Sequence, residues 1–131
     1  MQPLDRTLLE ESGFENAAAV CEEIELCWTS RAAFYEHGFG FCLVQGQTIV
    51  CWCTAEYVSA GQCGTGIETI EAYQRRGLAT VIAHAFVAHC LALGIVPHWD
   101  SWQANTPSIR VAAKVGFRHR LDYTVQLGFV P

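Results

Sequence analysis

One long uncharged segment constrains the fold of this chain most: Gly77–Trp99 contains no Asp, Glu, Lys or Arg. The segment is long enough to span a bilayer. However, His84 and His89 lie near its middle, and Gly94 favours the end of a helix. Only Gly77–Leu93 can therefore form one helix, and this stretch is short and rich in alanine. We expect a buried helix followed by a strand, and no membrane contact.

Segments with the two-residue period of β-strands surround this helix. The predicted strands cover residues 40–44, 48–54, 64–71, 95–101 and 117–127. Gly46 lies between the first two strands, as in a hairpin turn. Because the long helix joins two of these strands, the pattern predicts a mixed sheet with at least one parallel crossover.

Shorter helices are predicted on either side of the sheet segments. Ser30 is a good N-cap for a helix over 31–37, and Gly38 is placed as its stop. Thr106-Pro107 opens another helix, with proline at its permitted first position, and Gly116 ends it. Residues 1–38 are expected to be mainly helical, and the whole chain of 131 residues is too short for two domains.

The composition excludes several classes of partner. Eight Lys and Arg against thirteen Asp and Glu give a net charge of −5. Nucleic acid and anionic membranes attract broad positive surfaces, so neither is expected as a partner. The segment Met1–Glu11 carries four charged residues and no apolar stretch, so we expect no signal peptide and a cytoplasmic protein.

Seven cysteines are present, and no Cys-x-x-Cys pair occurs among them. Cys51 and Cys53 are two residues apart in a predicted strand and point the same way. A metal or redox pair there is one interpretation. Reduced cysteines that act as small core residues are the favoured one, and no metal site is predicted.

The junction Gln74–Thr80 joins a predicted strand to the long helix. No Ser, Asp or Asn precedes the helix, so its first N–H groups lack a side-chain acceptor. Arg75 and Arg76 lie at the positive end of the helix dipole, where cations are unfavourable. Gly77 and Ala79 let another group approach the backbone closely. A bound phosphate or pyrophosphate explains all three features; a surface turn with two solvated arginines is the alternative.

These residues resemble a known family. Gln74-x-x-Gly77-x-Ala79 after a strand is similar to the acetyl-CoA pyrophosphate loop of the GNAT N-acetyltransferases. Further matches to the family, in its order and spacing, are the segments 67–73, 99–101, Asn105, Ser108 and 112–117. The resemblance covers residues 38–127 and is closest to a bacterial GNAT acetyltransferase subfamily whose members carry additional sequence before this C-terminal domain.

The resemblance implies an α/β (α+β) fold with a mixed, mostly antiparallel sheet, one parallel strand–helix–strand crossover and helices on both faces. It also implies acetyl-CoA as the bound donor. The pyrophosphate would lie on the backbone N–H groups of Arg75, Arg76, Gly77, Leu78, Ala79 and Thr80. The pantetheine arm would pair with backbone groups of Ile67, Glu68 and Thr69. Asn105 would contact the donor near its sulfur, with Ser108 as a further candidate.

The implied reaction is direct transfer of an acetyl group to a primary amine, which must first lose a proton. Asp100 on the fifth predicted strand and Glu68 on the fourth are the candidate proton acceptors. Asp100 could instead be a structural acceptor or an anchor for the amine, and Glu68 could be structural. Many relatives have a tyrosine as the general acid where this chain has Ala112. Tyr123 or a water would then protonate the leaving thiolate, or the thiolate would leave without an acid.

Within the single domain, residues 1–38 are expected to form a helical acceptor side and residues 39–131 the sheet and acetyl-CoA-binding core. The acceptor side is short for the family, and the amine cannot be identified from the sequence. The run Glu22–Glu25 is interpreted as a solvated face, with attraction for a cationic acceptor as the alternative.

Two other classes of function stay open. A GNAT fold that binds acyl-CoA without turnover is one, because Ala112 replaces the usual acid. A dimerisation or interaction domain is the other, with a partner covering the surplus aromatic residues Trp28, Trp52, Phe34 and Phe39.

Overall fold

The computed structural model describes residues 1–101 and 104–117. Its helices are α1 (Ala17–Cys27), α2 (Arg31–His37), α3 (Leu78–Ala92) and α4 (Thr106–Lys114). Its strands are β1 (Gln2–Pro3), β2 (Gly40–Gln45), β3 (Thr48–Ser59), β4 (Gln62–Thr69) and β5 (Val96–His98). A π-helical turn covers Thr7–Glu11 and a 3-10 turn covers Glu71–Tyr73. Beyond Phe117, the strand predicted over 117–127 lies outside the described residues, as does Tyr123.

The described strands form a sheet in the order β1-β2-β3-β4-β5. The first four strands are antiparallel neighbours, whereas β5 runs parallel to β4. The connection from β4 to β5 passes through α3, which makes the strand–helix–strand crossover. The predicted fold class, a mixed and mostly antiparallel sheet with one parallel crossover, is confirmed for the described residues.

Helices cover both faces of the sheet, because β2 and β3 send alternate side chains to opposite sides. On one face, Trp52 packs in an apolar cluster with Ile24 of α1 and Phe34 of α2. On the other face, Cys53 packs with Phe86 of α3. We refer to these as the α1/α2 face and the α3 face.

Local signals in the sequence produce the expected helix and turn in the first half of the chain. Ser30 Oγ accepts a hydrogen bond from Ala33 N at 3.0 Å and caps α2, and Gly46 turns the β2–β3 hairpin with φ +62°. Gly38 ends α2 for a different reason than expected. Its φ is −103°, and a Cβ there would lie 2.8 Å from the ring of Trp28, so contact space and not a left-handed backbone requires glycine.

Three predicted strand ranges need correction. The strand predicted over 48–54 continues to Ser59, and the one predicted over 64–71 covers Gln62–Thr69. The fifth strand was expected over 95–101, but β5 covers only Val96–His98. Trp99 explains the early end, because its Nε1 donates to Ser108 Oγ of α4 at 3.0 Å and so directs the chain toward α4. Asp100 therefore follows β5 and does not belong to it. The mainly helical N-terminal segment also contains a short strand, β1, which pairs with β2.

The aromatic residues proposed to cover a partner pack inside the molecule. Phe34 is 1% and Trp52 3% exposed, and Trp28 and Phe39 are partly buried against the two cores. All seven cysteines are free thiols, and six of them are buried. None of the helices in residues 1–101 and 104–117 has the length and apolar character to cross a bilayer.

Candidate functional site

The strands β4 and β5 separate partway along β4. Their pairing covers Gln62–Gly64 and ends with Gly64 opposite His98. β4 continues to Thr69, so its second half has no β5 partner among the described residues. We call this opening the fork. An exposed strand edge of this kind can pair with an extended ligand.

Backbone groups of alternate β4 residues face the fork. Ile70 N donates to Val50 O at 3.0 Å, so the backbone N–H and C=O groups of Ile70 point toward β3. Because neighbouring residues alternate in an antiparallel pair, the backbone groups of Ile67 and Thr69 face the fork and those of Glu68 face β3. Thr69 O already accepts a hydrogen bond from Gln74 Nε2 at 3.0 Å.

The start of α3 lacks a side-chain cap, as its sequence indicated. Gly77 is the N-cap residue with φ +78°, and no side chain of the described residues accepts from the first N–H groups. A Cβ at Gly77 would meet no atom within 4 Å, so the helix start is open. We call residues 74–80 the helix-start loop.

Two arginines flank this helix start. Arg75 is exposed and has φ +64°, a left-handed conformation that is unusual for a residue other than glycine. The Arg76 guanidinium lies 4.7 Å from the centre of the Tyr73 ring, and Arg76 is also exposed. Uncapped N–H groups, the positive helix end and two cations together make a suitable site for an anion. Leu78, Ala79 and Thr80 form the half-buried first turn of α3.

Asn105 and Ser108 lie together at the start of α4. Asn105 Oδ1 accepts a hydrogen bond from Ser108 N at 3.3 Å and caps the helix. The Ser108 hydroxyl accepts from Trp99, so it anchors the segment that follows β5. Asn105 is exposed. The buried Ala112 of α4 provides no acid, in agreement with the sequence.

Glu68 and Asp100 are both exposed and lie on different segments. Glu68 lies on β4 directly opposite Trp52 of β3, so its side chain is on the α1/α2 face. Burial, and secondarily the charge of Glu23, raise the pKa of Glu68. Asp100 is exposed in the segment after β5. His98 beside it shares a hydrogen bond of 2.8 Å with Gln62.

Two further carboxylates lie near this site: Glu56 of β3, which the sequence did not single out, and Glu23 of α1, which the sequence predicts as solvated. Glu56 is half-buried, and burial, then the charges of Asp100 and Glu23, raise its pKa. Glu23 Oε2 accepts a hydrogen bond from Trp52 Nε1 at 2.6 Å. The available signal for Glu56 was a single acid in an apolar strand. We call Glu23, Glu56, Glu68 and Asp100 the carboxylate cluster.

A separate cavity of about 470 Å³ lies between the π-helical turn, α1 and α2. It shares no lining residue with the fork or the carboxylate cluster. Its cation, Arg31, already pairs with Glu25 at 2.9 Å and with Glu10 at 3.9 Å. The groups that line this cavity are therefore separate from those at the fork.

Known proteins resemble this chain in sequence and in fold. A family model described as GNAT acetyltransferase matches residues 1–126. The uncharacterized N-acetyltransferase YdfB of Bacillus subtilis (strain 168) is 34% identical over 125 residues, which cover 95% of this chain and 46% of that protein. The chain thus spans about half the length of the curated relative it matches.

Solved structures share the fold. A GCN5-related N-acetyltransferase-like protein from Streptococcus suis 89/1591 superposes with a TM-score of 0.72 at 22% identity, over 88% of this chain and 44% of that one. The aminoglycoside N-acetyltransferase AAC(6')-Iy in complex with CoA superposes with a TM-score of 0.62 at 21% identity, over 97% of this chain and 98% of that one. At these identities the likeness establishes the fold.

Proposed function

Because this chain belongs to the GNAT acetyltransferase family, we propose that it transfers an acetyl group from acetyl-CoA to a primary amine. The combination that supports this function is an uncapped, arginine-flanked helix start beside a strand edge left free by β5. The CoA bound to an aminoglycoside enzyme of the same fold supports a CoA thioester as the donor. The acceptor is an amine of unassigned identity.

In this proposal, the helix-start loop binds the donor's pyrophosphate. The N–H groups of Arg75, Arg76, Gly77, Leu78, Ala79 and Thr80 surround the open start of α3. Backbone groups of Ile67 and Thr69 on the fork edge bind the pantetheine amides, with Glu68 between them. Asn105 contacts the donor near its sulfur. Ser108 holds both Asn105 and Trp99 in position through its hydrogen bonds to them.

A carboxylate at the fork removes a proton from the amine, and the amine nitrogen then attacks the thioester carbon. The bond from that carbon to sulfur breaks, and the CoA thiolate leaves. The sequence nominates Asp100 and Glu68 as the proton acceptor. Asp100→Asn and Glu68→Gln test each one: a loss of about 10²-fold in kcat identifies the acceptor, whereas a higher KM for the amine at unchanged kcat identifies an anchor.

The test of the function is a panel of primary amines with acetyl-CoA, in which release of free CoA thiol and the mass of the acetylated amine are measured. We expect turnover, and stabilisation by acetyl-CoA of about 2.7 kcal/mol at a hundredfold excess over Kd. Stabilisation without thiol release would support a non-catalytic acyl-CoA-binding module instead. If acetyl-CoA gave neither stabilisation nor thiol release, both functions would be refuted for this chain.

We also propose a reducing, cytoplasmic environment. The sulfur atoms of Cys63 and Cys90 lie 3.7 Å apart and are not bonded. Free thiols in this number are typical of reducing compartments. A homodimer would need a surface other than the aromatic residues, since these pack in the cores; the mass of the particle in solution tests it.

A further inference from the structure

The β3 strand has a bulge beside the fork. Its pairing with β4 shifts by one residue after Ala55. As a result, Glu56 and Tyr57 together lie opposite the single residue Gly64. Bulges bend a strand, redirect a side chain and are frequent next to active sites. Here alternation from Trp52 places Glu56 on the α1/α2 face, and the bulge brings Tyr57 to the same side, where both side chains approach the Cβ position of Gly64.

Two glycines of β4 give this side chain its space. A Cβ built on Gly64 would lie 3.1 Å from Oε1 of Glu56, and one on Gly66 would lie 3.3 Å from Oε2. The carboxylate therefore lies against the backbone of β4 on the α1/α2 face. Because Gly64 is the last residue of β4 that pairs with β5, this carboxylate is at the mouth of the fork.

Glu56 has no cationic partner among the described residues. Its Oε2 lies 4.0 Å from the sulfur of Cys27. The ionisable groups near it are Glu23 and Cys27 from α1, the adjacent Tyr57 of β3 and Asp100 from the segment after β5. An ammonium group is the ligand that such an arrangement of unpaired carboxylates favours.

We propose that Glu56 is a catalytic residue that binds the acceptor's ammonium group at the fork and takes its proton. This role rests on the proposed acetyl transfer. The proton passes from the nitrogen to a Glu56 oxygen, and the freed lone pair forms the new bond to the acetyl carbon. Asp100 and Glu23 then act through Glu56, because their negative charges favour its protonated form.

The decisive variant is Glu56→Gln, with Glu68→Gln and Asp100→Asn as matched amide variants. With acetyl-CoA saturating, we expect Glu56→Gln to lower kcat by about 10²-fold or more, and the other two variants to lower it several-fold. In Glu56→Gln, the rise of kcat that reports ionisation of the base should disappear. Only the rise at high pH should remain, where more of the amine is neutral.

A second variant keeps the charge and moves it. In Gly66→Ala, the new Cβ would lie 3.2 Å from Cγ of Glu56, so the side chain must shift by a few tenths of an ångström. We expect kcat to fall while the thermal stabilisation by acetyl-CoA is unchanged. The kcat of Gly66→Ala also tests the role of Glu56 if Glu56→Gln proves too unstable to assay.

The outcomes separate the two proposals. Full activity in Glu56→Gln, or a change confined to the KM for the amine, would overturn the catalytic role of Glu56 and leave acetyl transfer intact. A wild-type protein that releases no thiol from acetyl-CoA with any amine would instead refute the proposed function itself.

Discussion

The two faces of the sheet around β4 carry opposite chemistry. Toward α3 the layer is apolar, with Cys63 and Phe86 fully buried, and the exposed Arg75 and Arg76 lie at the helix-start loop. Toward α1 and α2 the layer contains the carboxylate cluster, in which the pKa values of Glu56 and Glu68 are raised. The α3 face thus stabilises the fold, whereas the α1/α2 face near the fork holds charges that the fold disfavours.

The largest effect should come from the apolar face. Phe86→Ala removes a fully buried ring of α3 that packs on Cys53 and Cys63. We expect a loss of about 3–5 kcal/mol in the free energy of unfolding, measured with urea. Leu91→Ala on the same helix is the control, since Leu91 is 67% exposed and should change stability by less than about 0.5 kcal/mol. Equal effects would contradict the packing of Phe86 in the core of the α3 face.

The next effect concerns the cationic end of the α3 side. Asp and Asn are similar in size, and both tolerate the left-handed backbone at residue 77. Only Asp adds a negative charge, which can cost up to about 2 kcal/mol, or roughly 30-fold, in affinity for an anion at a helix start. We expect Gly77→Asp to bind CoA more weakly than Gly77→Asn, by calorimetric titration. Equal affinities would refute the loop as the pyrophosphate site.

These two sides also differ in how well the sequence predicted them. The helix-start loop is continuous in sequence, so missing caps, adjacent arginines and a glycine were visible along the chain. The same is true of the hairpin at Gly46 and of the cap at Ser30, both of which the structure confirms. Local chemistry dictates local structure, and a single sequence displays it.

The carboxylate cluster could not be predicted in this way, because it combines α1, β3, β4 and the segment after β5. Its geometry depends on which β4 residues lie opposite Glu56 and on where Glu23 and Asp100 lie relative to it, which alternation within one strand does not reveal. Asp100 was misplaced on a strand for a similar reason, since the contact of Trp99 with Ser108 redirects the chain. Long-range pairing decides both features.

A smaller effect should appear in the pH dependence of stability. A carboxyl group whose pKa is higher in the folded than in the unfolded state destabilises the fold when it is ionised. Its contribution to the free energy of unfolding therefore falls as the pH rises above about 4.5. We expect Glu56→Gln and Glu68→Gln to raise the free energy of unfolding at pH 8 by up to about 1 kcal/mol, and to gain less at pH 5. Glu25→Gln, which loses the pair with Arg31, should gain nothing. A loss of stability in both amide variants would show that these charges are stabilising.

The smallest expected effect reports directly on the charge beside α1. Cys27 is exposed, whereas the other six cysteines are buried, so a water-soluble alkylating reagent should modify it first. Burial, then the charges of Glu56 and Glu23, raise the pKa of Cys27. Because the thiolate is the reactive form, alkylation at pH 8 should be slower than for a free cysteine.

Glu56→Gln should increase that rate severalfold, since it removes one of the negative charges that disfavour the thiolate. Glu25→Gln is the matched control on α1, because Glu25 is not among the charges that raise the Cys27 pKa. The rates are measured by mass spectrometry of the modified protein. An unchanged rate in Glu56→Gln would mean that its carboxylate does not lie beside Cys27, and the α1/α2 face would then lack the close cluster of acids that distinguishes it from the α3 face.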